Sequence, residues 1–296
     1  MPRFSEEILK SWTKPASNSE EQKLSNSISM VKDAIQKNPK LNSLDIEIFG
    51  QGSYANNTNV RLNSDIDINI RFKGGFYSDL PSNKTKKDFG LIYPINYTYS
   101  EFKNDVENAL IDKFGIERVN RNNKCITIKA NTYIVETDVV PTWDNRRYSE
   151  NGSYVSGVAF WDDNGNKITN YPKQHIENGI EKNNLTERKY KRLTRLFRKL
   201  RYKMIEERIE VSDNITSFLL ECLIWNVPNK IILDSFTWNE LLKNSIVYIF
   251  KQTKEDGNSN EWGEVSELLY LFYDERKWTK SDVNYFMIQL WNYLEY

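Results

Sequence analysis

The sequence is poor in the residues that build zinc clusters and disulfide scaffolds. It contains a single histidine, His175, and two cysteines, Cys125 and Cys222, which lie in apolar settings far apart in the chain. We interpret both cysteines as reduced core residues. The sequence has no apolar run that approaches the roughly 20 residues of a membrane span, and its first residues show no apolar signal region. These absences predict a soluble, cytoplasmic protein with no membrane partner.

An excess of charge of either sign is also missing. The chain has 41 Lys and Arg residues against 41 Asp and Glu residues, so its formal net charge is zero. Proteins that grip long nucleic acids through their phosphates usually carry a basic excess, so we expect no long nucleic acid as a partner. Hydrophobic residues make up 39% of the 296 residues, which is enough for a packed core. The length suits two domains of ordinary size.

A glycine-serine turn organises the first half of the chain. The turn, residues 49–54 (FGQGSY), directly follows an apolar run over residues 44–49. Glycines let backbone amides approach a triphosphate closely, and the hydroxyl of Ser53 can donate to a phosphate oxygen. We therefore predict that Gln51, Gly52 and Ser53 bind a nucleotide.

A pair of aspartates follows after a short loop. Residues 64–72 (SDIDINIRF) alternate strictly between polar and apolar side chains, which is typical of a strand with one buried face. Asp65 and Asp67 therefore project from the same face, with about 7 Å between their α-carbons. Two carboxylates this close need a cation to offset their repulsion. Mg²⁺ fits, because it takes oxygen ligands and bridges carboxylates to substrate phosphates.

The combination of strand, glycine-serine turn and Asp-x-Asp strand resembles the nucleotidyltransferase superfamily typified by DNA polymerase beta. This resemblance implies a third acid on a later strand. The β-rich run 133–140, which Pro141 is expected to end because proline cannot donate to a ladder, offers Glu136 and Asp138. Asp138 is the preferred candidate, since the acid of the family usually lies near the strand end. Glu136 shares its face in an ideal strand and stays an alternative.

The remaining patterns predict an α+β domain followed by a helical one. We expect a mixed sheet with its helices over residues 1–170, including a loop over residues 73–87 and a hairpin around Asn131 and Thr132. A second hairpin signal lies at Asn164-Gly165. Residues 171–296 are expected to form a helical bundle. The predicted helices cover residues 5–12, 19–38, 99–114, 186–210, 215–225, 238–252, 262–274 and 280–296.

Short motifs in the second half carry a second, more specific resemblance. They are residues 172–175 (PKQH), 182–183 (KN), 190–199 (YKRLTRLFRK) and 217–221 (SFLLE). These motifs resemble the bacterial cyclic-oligonucleotide synthases of anti-phage signalling, which are relatives of cyclic GMP-AMP synthase and oligoadenylate synthase. The resemblance implies a polymerase-beta-like core packed against an oligoadenylate-synthase-like helical bundle that closes the nucleotide site.

The same resemblance implies roles for side chains of the helical half. In that family a lysine and a serine hold the donor triphosphate, and an aromatic residue beside the serine stacks on a base. By position these are Lys199, Ser217 and Phe218, with Arg195 as a further candidate. His175 is interpreted as a packing or capping residue, because this chemistry uses carboxylates and metal.

The implied activity is a Mg²⁺-dependent nucleotidyltransferase that joins ribonucleoside triphosphates, such as ATP and GTP, into a cyclic di- or trinucleotide and releases pyrophosphate. Asp65, Asp67 and Asp138 would hold two Mg²⁺ ions, with Mn²⁺ as an alternative metal. The diffusible product would reach a downstream effector. Two other hypotheses stay open: nucleotidyl transfer to a small molecule, RNA or protein, and a catalytically inactive binding or scaffold protein.

Overall fold

The computed structural model describes residues 2–15, 18–60, 65–91, 96–131, 133–273 and 276–296. Ser64, which opens the predicted Asp-x-Asp strand, and Thr132, in the predicted hairpin turn, lie outside these ranges. The chain divides into two compact units. The sheet unit comprises residues 17–55 and 61–172, and the helical unit comprises residues 1–16, 56–60 and 173–296.

In the described residues, helices and strands alternate through residue 170, and the chain from residue 172 onward contains helices without strands. The strands are β1 (Ile46–Gln51), β2 (Ile66–Asp79), β3 (Val119–Arg121), β4 (Ile126–Ile128), β5 (Thr137–Tyr148), β6 (Tyr154–Trp161) and β7 (Lys167–Asn170). The helices are α1 (Glu6–Trp12), α2 (Asn18–Lys37), α3 (Pro39–Asn42), α4 (Gly52–Ala55), α5 (Tyr99–Phe114), α6 (Pro172–Leu185), α7 (Lys189–Glu206), α8 (Ser217–Trp225), α9 (Asn229–Asp234), α10 (Trp238–Thr253) and α11 (Lys280–Tyr293), with a 3-10 turn at Lys86–Phe89.

A mixed sheet forms the centre of the sheet unit. Its described strands run in the order β1-β2-β5-β4-β3, and β6 and β7 extend from a later part of β5. The β2–β5 pair is parallel and the other pairs are antiparallel. This mixture of strand directions with α2 and α5 confirms the predicted α+β class.

The alternation of β2 sets which side of the sheet is apolar. Ile66, Ile68 and Ile70 are completely buried in a core that also contains Phe102 and Val106 of α5. Helix α5 begins with a capping box, in which Thr98 and Glu101 satisfy each other's backbone N–H groups. The predicted helix over residues 99–114 is therefore confirmed, as is the β6–β7 hairpin around Asn164-Gly165.

Two predictions about the sheet are wrong. The segment predicted as a loop over residues 73–87 begins with seven further residues of β2, which continues to Asp79. A register shift between Phe72 and Phe76 absorbs the two intervening glycines, after which β2 pairs with β5 again. Turn-forming glycines therefore mark a bulge here and not the end of the strand.

Pro141 does not end β5, which continues to Tyr148. On one side of β5, β4 pairs only with residues 137–139 and β6 only with residues 143–148. Pro141 lies in the gap between these two partners, where a missing N–H costs no ladder hydrogen bond on that side. The proline thus occurs at the point where β5 changes neighbours.

The helical unit buries one extended apolar core, formed mainly by α7, α8, α10 and α11. Leu9 of α1 is completely buried in that core. The carboxylate of Glu6 accepts hydrogen bonds from the backbone N–H groups of Trp238 (2.6 Å) and Asn239 (3.1 Å), which caps the start of α10. These contacts explain why α1 groups with the helical unit, whereas the sequence prediction placed it in a domain over residues 1–170.

One predicted helix of this unit is wrong. Residues 262–273 form turns and an isolated bridge between Gly263 and Tyr270 in place of the helix predicted over 262–274; Asp274 lies outside the described residues. Trp262 and Leu271 are nevertheless buried, and the backbone N–H of Leu271 donates to the carbonyl of Trp262 (2.6 Å). The apolar residues of this segment are therefore buried by a tight reversal of the chain and not by a helix. Among the described residues, no helix has both the length and the apolar character to cross a membrane.

Candidate active site

A row of polar residues crosses the sheet at the start of β2. The antiparallel β1–β2 register places Gln51 opposite Asp67, and the parallel β2–β5 register places Asp67 opposite Asp138. The β4–β5 register continues the row from Asp138 to Thr127. Residues in register on neighbouring strands point to the same face, so these four side chains share one side of the sheet.

The row opens into a cavity of about 200 Å³. Asp67 and Asp138 line it, together with polar and apolar residues from five strands and their connections. Its lining is Gln51, Asp67, Asn69, Lys124, Cys125, Asp138, Val140, Val158, Phe160 and Asn170. Two carboxylates among amide groups and a lysine make a site with the chemistry to bind a divalent cation and a phosphate.

Gly52 lies directly against the carboxylate of Asp67. Its φ angle is +68°, in the left-handed region that favours glycine. A Cβ added at this position would collide with Oδ2 of Asp67. The turn therefore needs glycine here for two reasons, its backbone conformation and its contact with the acid.

Three other residues of the sequence prediction lie near this row without lining the cavity. Asp65 immediately precedes β2 and is exposed, and Ser53 lies in α4 and is half-buried. Glu136, the alternative third acid, precedes β5 and is exposed, whereas Asp138 is within the strand and in register with Asp67. This placement favours Asp138 over Glu136.

Asp138 is held by a neighbouring hydroxyl. Oγ1 of Thr127 donates a hydrogen bond to Oδ1 of Asp138. Nδ2 of Asn122 donates to the same Thr127 oxygen over 2.7 Å. Burial, followed by the charge of Asp138, raises the pKa of the nearby Cys125 thiol. The thiol is therefore protonated at neutral pH.

A second hydrogen-bonded chain positions the amides on the other side of the acids. The hydroxyl of Thr142 donates to Oδ1 of Asn69 (2.7 Å), and Nδ2 of Asn69 donates to Oε1 of Gln51 (3.1 Å). Asn69 and Thr142 are completely buried. This chain fixes the orientation of the Gln51 amide beside Asp67.

The residues present fit a divalent cation through their donor chemistry, although no cluster of three or more His, Cys, Asp or Glu side chains meets the geometry of a metal site within the described ranges. Mg²⁺ is commonly bound through one or two protein carboxylates, with substrate phosphates and water completing its shell. Asp67 and Asp138 supply two carboxylates in register, and Asp65 lies two residues from Asp67. The donors are all oxygen, as Mg²⁺ and Mn²⁺ prefer.

The other predicted nucleotide-binding residues belong to the helical unit. Arg195 is 4% exposed, and its guanidinium donates to the backbone carbonyls of Thr13 (2.8 Å) and Asn57 (2.5 Å). Burial lowers the pKa of Arg195 to about 10. These contacts give Arg195 a structural role, and the prediction that it binds nucleotide gains no support from them.

Lys199, Ser217 and Phe218 lie at the surface of the helical unit. Lys199 is half-buried on α7, and Ser217 is the first residue of α8. Oγ of Ser217 is 3.2 Å from the hydroxyl oxygen of Tyr202. Phe218 is 36% exposed, and its ring is flanked by His175 (5.8 Å between centroids) and by a tryptophan of the same unit. A partly exposed ring at a helix start can stack on a base.

His175 belongs to a buried charged cluster. Its Nε2 is 3.2 Å from Oε1 of Glu221, and Nη2 of Arg198 donates to Oε2 of Glu221 (2.5 Å). Thr58 donates its hydroxyl to the same carboxylate, and its carbonyl accepts from Arg198. Burial opposes the charge of Glu221, but Arg198 and His175 hold the pKa of this carboxyl at about 2. This agrees with the packing role predicted for His175.

Sequence reasoning missed several residues of the cavity. Asn69 could have been found, because it continues the i, i+2 series of Asp65 and Asp67 along β2. Thr127 and Lys124 gave no local signal. The predicted hairpin around Asn131 and Thr132 implied the pairing of β4 with β5, but not the register that places Thr127 opposite Asp138.

Comparisons with known proteins match both parts of the chain. Residues 28–140 match the family model described as "Nucleotidyltransferase domain". Residues 177–295 match the family model described as "cGAS/DncV-like nucleotidyltransferase C-terminal helical domain". The two matches together span every residue of the predicted site, and they follow the order expected from the sequence.

Individual relatives are similar over the full length. A protein named cyclic dipyrimidine nucleotide synthase CdnE from Cecembia lonarensis is 62% identical over 100% of both chains. A protein named cyclic dipurine nucleotide synthase from Elizabethkingia meningoseptica is 38% identical over 99% of both chains. The solved structure of the CdnE cyclic dinucleotide synthase from E. meningoseptica with GTP and Apcpp has a TM-score of 0.83 at 35% identity, covering 99% of this chain and 100% of that chain.

Proposed function

The chain belongs to the family of bacterial cGAS/DncV-like nucleotidyltransferases, and from this premise we propose that it joins pyrimidine ribonucleoside triphosphates into a cyclic dinucleotide. The observation that carries the reaction is the placement of Asp67 directly beside Asp138 on parallel strands, facing one cavity. The choice of pyrimidines rests on the relative that is 62% identical and is named for a cyclic dipyrimidine nucleotide.

Enzymes of this family use a divalent metal ion. We propose that the metal is Mg²⁺, that two ions are used, and that Asp65, Asp67 and Asp138 hold them. The bound metal would lower the pKa of the attacking ribose hydroxyl and stabilise charge on the transferred phosphoryl group. The oxygen-only donor set and the side-by-side carboxylates support this assignment.

The side chains of the sheet unit have distinct tasks in the proposed reaction. Asp138 orients the ribose hydroxyl of the acceptor nucleotide and accepts its proton. The hydroxyl oxygen forms a new bond to the α-phosphorus of the donor, and the bond to the β-phosphate breaks with release of pyrophosphate. Ser53 and the backbone at Gly52 bind the departing phosphates. In a second transfer within the linear intermediate, the remaining ribose hydroxyl attacks the remaining α-phosphorus, which closes the ring and releases a second pyrophosphate.

In the helical unit we propose three nucleotide-binding residues. The charge of Lys199 and the hydroxyl of Ser217 bind the donor phosphates, and the ring of Phe218 stacks on a base. The position of Ser217 at the start of α8, the positive end of the helix dipole, supports a phosphate ligand. The partial exposure of Phe218 supports stacking.

We further propose that the cyclic product is a diffusible messenger in anti-phage defence, acting on a downstream effector. This part of the proposal rests on the family of bacterial cyclic-nucleotide synthases to which the relatives belong.

The experiment is an incubation of the protein with all four ribonucleoside triphosphates and Mg²⁺, followed by phosphatase treatment and mass spectrometry. We expect a phosphatase-resistant cyclic dipyrimidine dinucleotide and no product from Asp67→Asn. A cyclic product containing purines would overturn the base assignment and leave the reaction intact. Strict dependence on an added small molecule, RNA or protein would instead support nucleotidyl transfer to an acceptor.

A further inference from the structure

Thr127 is the neighbour of the third acid across the sheet. It lies opposite Asp138 in the antiparallel β4–β5 register, while Asp67 lies opposite Asp138 on the other side. Thr127 is 9% exposed, and its Oγ1 donates to Oδ1 of Asp138. Asp138 is therefore flanked by a carboxylate on one strand and by a hydroxyl on the other.

The direction of the hydrogen bonds around Thr127 follows from chemistry. An ionised carboxylate only accepts, so the single hydroxyl proton of Thr127 must go to Asp138. The hydroxyl oxygen can then only accept from Asn122, which means that the Asn122 amide presents its Nδ2, 2.7 Å away. The chain therefore runs in one direction, from Asn122 through Thr127 to Asp138.

Hydrogen bonds to its backbone hold the segment that carries Asn122 in place. The backbone N–H of Asn122 donates to the carbonyl of Cys125 (2.8 Å), which closes the turn into β4. Next to it, the carbonyl of Asn123 accepts from Nζ of Lys103 (3.1 Å), a side chain only 1% exposed. Nζ of Lys103 also binds Asp163 (2.8 Å). The donor chain thus starts from a fixed part of the structure.

We propose that Thr127, held by Asn122, is a positioning residue for Asp138. Its hydrogen bond fixes the rotation of the carboxylate, so that the acid meets the metal and the acceptor hydroxyl in one orientation. Hydrogen-bond partners behind a metal-binding carboxylate act in this way in other proteins. The inference rests on the proposed role of Asp138.

The test compares Thr127→Val, which keeps the shape and removes the hydroxyl, with Thr127→Ser, which keeps the hydroxyl. Thr137→Val is the matched control. Thr137 directly precedes Asp138 and is completely buried, but its hydroxyl donates to the carbonyl of Val135 (2.9 Å) and not to the acid. Two quantities are measured: turnover with nucleotides, and binding of Mn²⁺ by electron paramagnetic resonance in the presence of a non-hydrolysable triphosphate.

We expect Thr127→Val to lower both turnover and Mn²⁺ affinity by about 10- to 100-fold, the range seen when such partners are removed. Thr127→Ser should restore both quantities to near the parent values, and Thr137→Val should leave both unchanged. Parent-like Mn²⁺ affinity in Thr127→Val would overturn the proposal, as would a defect that serine does not rescue.

A second pair of variants tests the direction of the chain. Asn122→Asp places an acceptor where the amide donates, so two carboxylates compete for the one proton of Thr127. Asn123→Asp adds the same charge one position further on, and it keeps the oxygen that accepts from the backbone of Asp163. We expect a loss of Mn²⁺ affinity only in Asn122→Asp; equal losses in both variants would contradict the proposal.

The outcome can be separated from that of the proposed function. Asp138→Asn reports on the role of the acid itself. Full activity of Asp138→Asn would refute the proposed function. An inactive Asp138→Asn beside a fully active Thr127→Val would refute the positioning role alone.

Discussion

Asp67 and Asp138 are direct partners in the parallel pairing of β2 with β5, although they come from distant parts of the sequence. A parallel register brings side chains at the same level of the two strands to one face of the sheet. Two carboxylates that face one cavity at this distance repel each other unless a cation lies between them. This single register therefore brings two carboxylates into one cavity, which is the observation that supports the proposed divalent-metal site.

The acids should be essential, and a neighbouring acid should not be. Asp67→Asn and Asp138→Asn each remove a carboxylate of the row, and we expect cyclic product formation to fall by at least about 100-fold. Glu136→Gln is the matched control, because Glu136 is exposed and lies just before β5. The activity of all three variants is measured as the rate of pyrophosphate release. The midpoint of thermal unfolding checks that each variant is folded. A large loss in Glu136→Gln would mean that the third acid is Glu136.

Gly52→Ala should damage the site through contact as well as through backbone strain. The φ angle of Gly52 is +68°, and a Cβ there would collide with the Asp67 carboxylate. Gly90 has a φ angle of +67°, but a Cβ there would meet nothing within 4 Å. Both substitutions should cost about 1–2 kcal/mol of stability through the left-handed backbone.

Only Gly52→Ala should lose activity, because it alone displaces Asp67. Urea unfolding measures the stability cost, and pyrophosphate release measures activity. If Gly90→Ala lost as much activity as Gly52→Ala, the effect would arise from strain in general and not from contact with the acid.

The local elements of the fold could be predicted from the sequence because they depend on near neighbours. The alternation of residues 64–72 predicts β2, and the apolar face of residues 99–114 predicts α5, since each pattern has its own period. The glycine-serine turn and the Asp-x-Asp pair also lie within one short segment. Gln51 and Asp67, which line the cavity, could thus be predicted as neighbours before the strand pairing was known.

The remaining features depend on pairing between distant segments. The hairpin predicted around Asn131 and Thr132 implied that β4 lies beside β5, but it did not give the register that places Thr127 opposite Asp138. Pro141 is tolerated because β5 changes partners at that point. Residues 262–273 have helical spacing but form a reversal, because Trp262 and Leu271 are buried in the core of the helical unit. In each case tertiary contacts override the local signal.

The buried cluster around Glu221 should be a large contributor to the stability of the helical unit. Glu221 is 3% exposed and binds Arg198, His175 and the Thr58 hydroxyl. Glu221→Gln leaves Arg198 buried without its counter-charge, which should cost about 3–5 kcal/mol. Asp256→Asn, which removes one partner of an exposed pair with Lys254, should leave the urea midpoint unchanged. Equal midpoints for Glu221→Gln and the parent would show that the cluster adds no net stability.

Lys182 should make the stability of the helical unit depend on pH in the alkaline range. Its side chain is 8% exposed, and Nζ donates to the carbonyls of Trp225 (2.7 Å), the last residue of α8, and Val227 (2.8 Å). Burial lowers the pKa of Lys182 from 10.5 to about 8. A neutral amine still has two N–H groups, so both hydrogen bonds survive deprotonation.

The sign follows from proton binding. Between pH 8 and 10.5 the unfolded chain keeps the Lys182 proton while the folded chain has lost it, so stability rises with pH across this window. Lys182→Met cannot titrate. We expect the free energy of unfolding of the parent, relative to Lys182→Met, to increase by about 2 kcal/mol between pH 7.5 and pH 9.5. Urea unfolding of both proteins at the two pH values measures this change. If the difference in unfolding free energy between the parent and Lys182→Met is the same at both pH values, Lys182 remains charged in the folded protein across this range.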